Sequence, residues 1–170
     1  MRFGQAAGIA VTLVALAAGT AHADTSVIAR AGAWQAFGGT SQDGTQVCGV
    51  STSWPDDRYF GVKYYKGDNT FTIQLGSPEW KVEDGAKQPI VMTVDRRSPW
   101  RGNATGMHFS DSAGLQFEIS RNQLAQFIEE FRSGESLYLS FPGTTAADWT
   151  ATLSGSDAVM NSFAACNDAM

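Results

Sequence analysis

The chain has 170 residues, 43% of them hydrophobic, with 12 Lys and Arg against 17 Asp and Glu for a formal net charge of −5. This is enough apolar material for one sizeable core, and the acidic balance excludes general affinity for nucleic acid or an anionic membrane, both of which draw on positive potential. Beyond the N-terminal segment no apolar run approaches the roughly 20 residues of a membrane span.

Residues 1–23 have the form of a secretory leader. Arg2 supplies the positive start, Ala6 to Thr20 is a small-residue apolar stretch too short to span a bilayer comfortably, and Ala21-His22-Ala23 is a small-x-small processing site. Residues 24–170 are then expected to form a single secreted domain in the periplasm or outside the cell. In an oxidising compartment the two cysteines, Cys48 and Cys166, are expected to join in one disulfide. A bond closing a loop of about 100 residues is worth on the order of 4–5 kcal/mol in the chain-entropy picture. Two Cys and the single His left after processing fall short of a four-ligand zinc set, so no metal site or cofactor is expected.

Strand-like segments dominate the chain: Ala33 to Phe37, Gln46 to Thr52, Tyr59 to Tyr65, Thr70 to Leu75, Ile90 to Val94, Leu115 to Ile119, Ser136 to Phe141 and Trp149 to Leu153. They are short, rich in β-branched and aromatic residues, and bounded by Gly, Pro, Asp or Asn. Thr70 to Leu75 alternates with period two, which predicts Phe71, Ile73 and Leu75 on a buried face and the polar residues toward solvent. Lys66-Gly67-Asp68-Asn69 reads as the hairpin turn that pairs Tyr59 to Tyr65 with Thr70 to Leu75. Ser120 and Gln123 have the spacing of a capping box ahead of Leu124, Phe127, Ile128 and Phe131, which recur at helical spacing until Ser133-Gly134. A second helix is predicted from about Ser156, with Val159, Met160, Phe163 and Cys166 on its buried side, docked against the strand that holds Cys48. The expected fold is mainly β, an antiparallel β-sandwich or barrel-like sheet with one helix packed on it and a short C-terminal helix.

No signature of catalysis stands out. His108 would have to carry any Ser-His-Asp or Cys-His scheme, and the chain contains no G-x-S-x-G elbow. The adjacent carboxylates Asp56-Asp57, Glu83-Asp84 and Glu129-Glu130 point in different directions on a strand or helix and read as solvated surface, with Glu129 and Glu130 on the outward face of their helix. The candidate binding segment is Asp95 to Asn103, where Arg96, Arg97 and Arg101 gather with Trp100 in an otherwise acidic chain. Arginine forks suit carboxylates or phosphates and an indole offers a flat face, so an acidic protein or a small molecule is the partner class; the scaffold alternative has Trp100 folded over the sheet edge and Asp95 paired with an arginine. A second aromatic group, Trp54, Tyr59, Tyr64, Tyr65 and Trp80, flanks the first long hairpin, and Trp34 and Trp149 read as core anchors.

The order of Trp34, Cys48, a strand closing on Asp95, the helix Leu124 to Phe131, the strand Leu137 to Phe141 and Leu153-Ser154-Gly155-Ser156 before a last helix resembles the invasion-associated locus B family of bacterial periplasmic proteins. The resemblance implies a secreted, β-rich envelope domain in a family of which some members are linked to host-cell invasion. Met107 to Gly114 lacks the cysteines that the family places ahead of its helix, so only architecture and compartment carry over. The expectation is a non-enzymatic binding or accessory domain; the alternative is a small periplasmic hydrolase whose site no motif reveals.

Overall fold

The computed structural model describes residues 23–109 and 112–170. Apart from Ala23, the expected leader lies outside the described residues. The chain forms ten strands: β1 (Asp24–Ala31), β2 (Trp34–Thr40), β3 (Gln46–Ser53), β4 (Tyr59–Tyr65), β5 (Thr70–Gly76), β6 (Lys87–Val94), β7 (Trp100–Phe109), β8 (Ser112–Ser120), β9 (Ser136–Ser140) and β10 (Trp149–Thr152). A helix α1 (Leu124–Ser133) joins β8 to β9, and α2 (Ser156–Asp168) follows β10. Among the described residues no helix is long and apolar enough to cross a membrane.

All ten strands belong to one antiparallel sheet in the order β1-β2-β3-β4-β5-β8-β7-β6-β9-β10, which is not closed into a barrel. The sheet nevertheless curls on itself. The Trp34 indole N–H in β2 donates to the Thr152 carbonyl in β10 at 2.8 Å, and the Trp54 indole, just past β3, donates to the Thr150 carbonyl at 3.0 Å. The mainly β, antiparallel expectation therefore holds, as a single curled sheet rather than two stacked ones.

The concave face carries the core, because each strand sends alternate apolar residues to it. One row across the sheet runs Trp34, Thr52, Phe60, Leu75 and Leu115; the next runs Ala36, Val50, Val62, Ile73 and Phe117. Inside the curl, α1 presents Phe127 and Phe131, both fully buried. Phe127 meets Phe71 and Trp100, and Phe131 meets Trp34 and Phe60. α2 covers β1, β2 and β3 with Val159, Met160 and Phe163. Its end is fixed by the Cys48–Cys166 disulfide, whose Cα atoms are 6.0 Å apart.

Several local expectations need correction. Two strands, β1 and β7, escape the sequence pattern. The proposed capping box does not form: Ser120 makes no side-chain cap, and Arg121–Gln123 winds as a single 3-10 turn held by the Arg121 amide on the Asn69 carbonyl at 2.8 Å. Thr72 and Gln74, expected to face solvent, are buried, and Gln74 donates to Gln116 at 2.9 Å. Glu130 does not face outward. It is 7% exposed, and its carboxylate accepts from the Trp100 indole at 2.7 Å and from Gln126 at 2.9 Å.

Candidate functional site

The arginine-rich segment is spread over both sides of the sheet. Trp100 opens β7 on its inner face, 8% exposed, against Phe127 and bonded to Glu130, so its ring presents no free stacking surface. Arg101, the next residue, is exposed and leaves on the opposite face. Arg97 turns back to α1, where its guanidinium donates to the Ser133 hydroxyl at 2.9 Å, and Arg96 is exposed in the turn. Among the described residues Asp95 pairs with no arginine: its carboxylate accepts the backbone amides of Glu135 and Ser136 at 3.1 and 2.9 Å. The structure thus brings Trp100 and Arg97 to α1 and separates Arg101 from them.

His108 is exposed near the end of β7, with Nδ1 2.6 Å from the Asp84 carboxylate. Tyr64 faces the core and lies under the Arg121 guanidinium at 4.8 Å, whereas Tyr65 faces the other way.

The remaining aromatics converge. Trp149 starts β10 and Phe141 follows β9, both on the core face. Trp80, from the β5–β6 connection, stacks on Trp149 with centroids 4.8 Å apart and planes 17° from parallel, and sets its edge against Phe141 at 5.3 Å. Trp54 also meets Trp149, tilted by 57° with centroids 5.5 Å apart. Trp54 and Trp80 are each placed by a tight turn. Trp54-Pro55-Asp56-Asp57-Arg58 closes through the Trp54 amide on the Arg58 carbonyl at 3.0 Å, with Asp57 at φ 62°; the Trp80 amide donates to the Ser77 carbonyl at 3.2 Å.

Arg58 completes the cluster. Its guanidinium carbon sits 5.2 Å from the Trp54 ring and 5.3 Å from the Trp149 ring, within cation–π range. Its Nε donates to both Asp56 carboxylate oxygens at 2.9 Å, which holds the Asp56 carboxyl below its usual pKa. The orientation of this cation is therefore set from two sides, by a carboxylate and by two indole faces.

Between the β5–β6 connection and residues 142–148 lies an open cleft of about 1010 Å3, with Trp80, Val82, Leu115, Phe141 and Trp149 as its apolar floor. Asp56, Glu79, Glu83, Arg58, Lys81 and Lys87 line its sides, three charges of each sign. The far side of the cleft is fixed by Thr144, whose hydroxyl donates to the Phe141 carbonyl at 2.8 Å and accepts from the Ala146 amide at 3.2 Å. A half-buried indole, rigidly backed by a second indole and a phenyl ring, within a charge-balanced polar rim, suits a ligand with an apolar face and many hydrogen-bonding groups. The sequence names Trp54 and Trp80 as aromatics near one hairpin, but Arg58, Phe141 and the meeting with Trp149 carry no local signal, because they come from four separate segments.

No family model matches the chain. No curated protein matches it by sequence either. Among solved structures it is similar to the crystal structure of invasion associated protein b from Bartonella henselae, with a TM-score of 0.54 and 16% sequence identity, over 82% of this chain and 97% of that one. The likeness is one of fold.

Proposed function

We propose that the chain is a secreted, non-enzymatic binding or accessory domain of the bacterial envelope, and that its ligand enters the cleft between the β5–β6 connection and residues 142–148. The observation that carries this reading is Trp80, held flat on Trp149 and braced by Phe141 while remaining half-buried at the cleft floor. A core tryptophan needs no open volume beside it, and a solvated one needs no stacked backing. The leader-like residues 1–23, the disulfide and the fold shared with invasion associated protein b support the compartment. A balanced rim supports a neutral, hydroxyl-rich ligand such as a glycan segment: the indole takes the apolar face of a sugar ring, and the carboxylate, guanidinium and ammonium groups take its hydroxyls.

The test is retention from a native periplasmic extract by the tagged mature protein and by its Trp80→Ala variant. A specific component held by the parent and reduced about tenfold by Trp80→Ala is expected, the scale of a lost aromatic hot spot. Equal retention by both proteins rules the cleft out as the binding site.

A further inference from the structure

The convex face of β2, β3 and β4 carries a second groove, of about 940 Å3, walled on one side by residues Thr25 to Val27 of β1. Its floor is aromatic because two glycines make room for it. Gly49 in β3 has no Cβ where the Phe37 ring lies, and Gly61 in β4 has none where the Tyr59 phenol lies. Any side chain at either position would collide with the ring above it. Val47, 3% exposed, and Tyr65 extend the same apolar surface. On this floor stands Lys63, opposite Gly49 on one neighbouring strand and Thr72 on the other.

Lys63 is half-buried, and among the described residues its ammonium has neither an ion pair nor a hydrogen-bond partner. Burial alone lowers its pKa, with no carboxylate to offset the effect. The neighbouring anion, Asp43 at the rim, is exposed and already engaged by the Ser41 hydroxyl at 2.6 Å and the Thr45 amide at 3.0 Å. Neutral hydrogen-bonding groups line the rest of the wall: Gln35 donates to the Ser51 hydroxyl at 3.2 Å, and the Tyr59 hydroxyl is beside Ser51. A partly desolvated ammonium without a counter-charge is a standing cost that one bound anion removes, and a charge-assisted hydrogen bond there is stronger than in water. A single cation calls for a single negative charge, and the ring-lined floor calls for a flat apolar body.

We propose that this groove binds a small organic monocarboxylate with a flat apolar body, its carboxylate on the Lys63 ammonium and its body on the Phe37 and Tyr59 rings. The site is on the opposite face of the sheet from the tryptophan cleft and does not depend on the cleft being used.

The experiment titrates the full mature chain with 4-phenylbutyrate and, as the neutral control, 4-phenylbutyramide, following the Lys63 side-chain signals by NMR. The acid is expected to shift the Lys63 signals saturably and to bind at least about tenfold more tightly than the amide, the value of one charge-assisted contact. Lys63→Met, which keeps the stem and removes the charge, is expected to abolish that tenfold preference, and Lys63→Arg to retain it. Trp80→Ala is expected to leave acid binding unchanged. No shift at Lys63 up to millimolar acid, an undiminished preference in Lys63→Met, or loss of binding in Trp80→Ala each overturns the proposal. Should Lys63→Met fail to fold, the Lys63→Arg and amide arms decide it alone.

Discussion

Trp100 and Glu130 show how a residue pair that resembles surface chemistry becomes part of the core. An arginine-flanked tryptophan and an acidic doublet on a helix both suggest exposure, yet the indole N–H and the carboxylate meet at 2.7 Å inside the curl of the sheet. A buried carboxylate is tolerable only while donors satisfy it, and Glu130 has two, Trp100 and Gln126. Trp100→Phe keeps most of the apolar contact with Phe127 but leaves the carboxylate with one donor. The variant is expected to lose about 2 kcal/mol, the scale of an unsatisfied buried polar group, read as a lower urea midpoint at unchanged slope. Adding Glu130→Met to that variant removes the orphaned charge and is expected to recover part of the loss. A single variant as stable as the parent, or a double variant showing no recovery, contradicts this account.

At the scale of elements, the turn between β6 and β7 is anchored by Asp95 rather than by its arginines. The residue sits at φ 52°, its amide donates to the Ser136 carbonyl at 2.9 Å, and its carboxylate accepts two amides at the start of β9. Asp tolerates the left-handed region better than most residues, and here its side chain also ties the β6–β7 turn to the start of β9. Asp95→Ala is expected to cost about 2–3 kcal/mol by thermal or urea unfolding, since strain is added and two amides lose their partner. Asp95→Gly relieves the strain alone and is expected to lose less; equal losses for the two would show that backbone conformation plays no part. The same hairpin shows why some elements are legible in the sequence and others are not. Strands such as Thr70 to Leu75 announce themselves through large apolar residues at alternate positions. After Trp100, β7 sends inward only Gly102, Ala104 and Gly106, because a Cβ at Gly102 would lie 2.7 Å from the Phe117 ring and one at Gly106 would run into the Val82–Glu83 segment. Its space is filled from elsewhere, so its own pattern is blank. β1 is equally quiet: an edge strand with a bulge between Val27 and Ala29 and both Val27 and Ile28 exposed has little apolar face to declare. The tryptophan cleft and the Lys63 groove are illegible for a different reason, since each depends on side chains that only the strand order brings together.

On the scale of the whole molecule, the Cys48–Cys166 bond is the covalent complement to a sheet that curls without closing. It spans 118 residues and joins β3 to the last turns of α2, so the seven strands from β4 to β10 lie within its loop. Gly38 sits directly opposite Cys48 in the register, and a Cβ there would be 2.9 Å from the Cys166 sulfur, so the sheet leaves a space for the bridge. The helix does not depend on the bond alone. Val159, Met160 and Phe163 are fully buried against β1 to β3, each worth roughly 1.5–3 kcal/mol of transfer free energy, and none of these contacts is made by the sulfurs. The bond's main effect therefore falls on the unfolded chain, which it keeps compact. Cys48→Ser/Cys166→Ser is expected to stay folded yet lose about 3–5 kcal/mol, with a steeper denaturant dependence because the unlinked chain exposes more surface on unfolding. Hydrogen exchange should rise first in residues 156–168, where α2 is no longer tethered at its C-terminal end. Urea curves of the oxidised parent and the double-serine variant that coincide in midpoint and slope, or two alkylatable thiols on the folded protein purified without reductant, would remove the bridge from the account of stability and leave the curled sheet to be held by α1 and α2 alone.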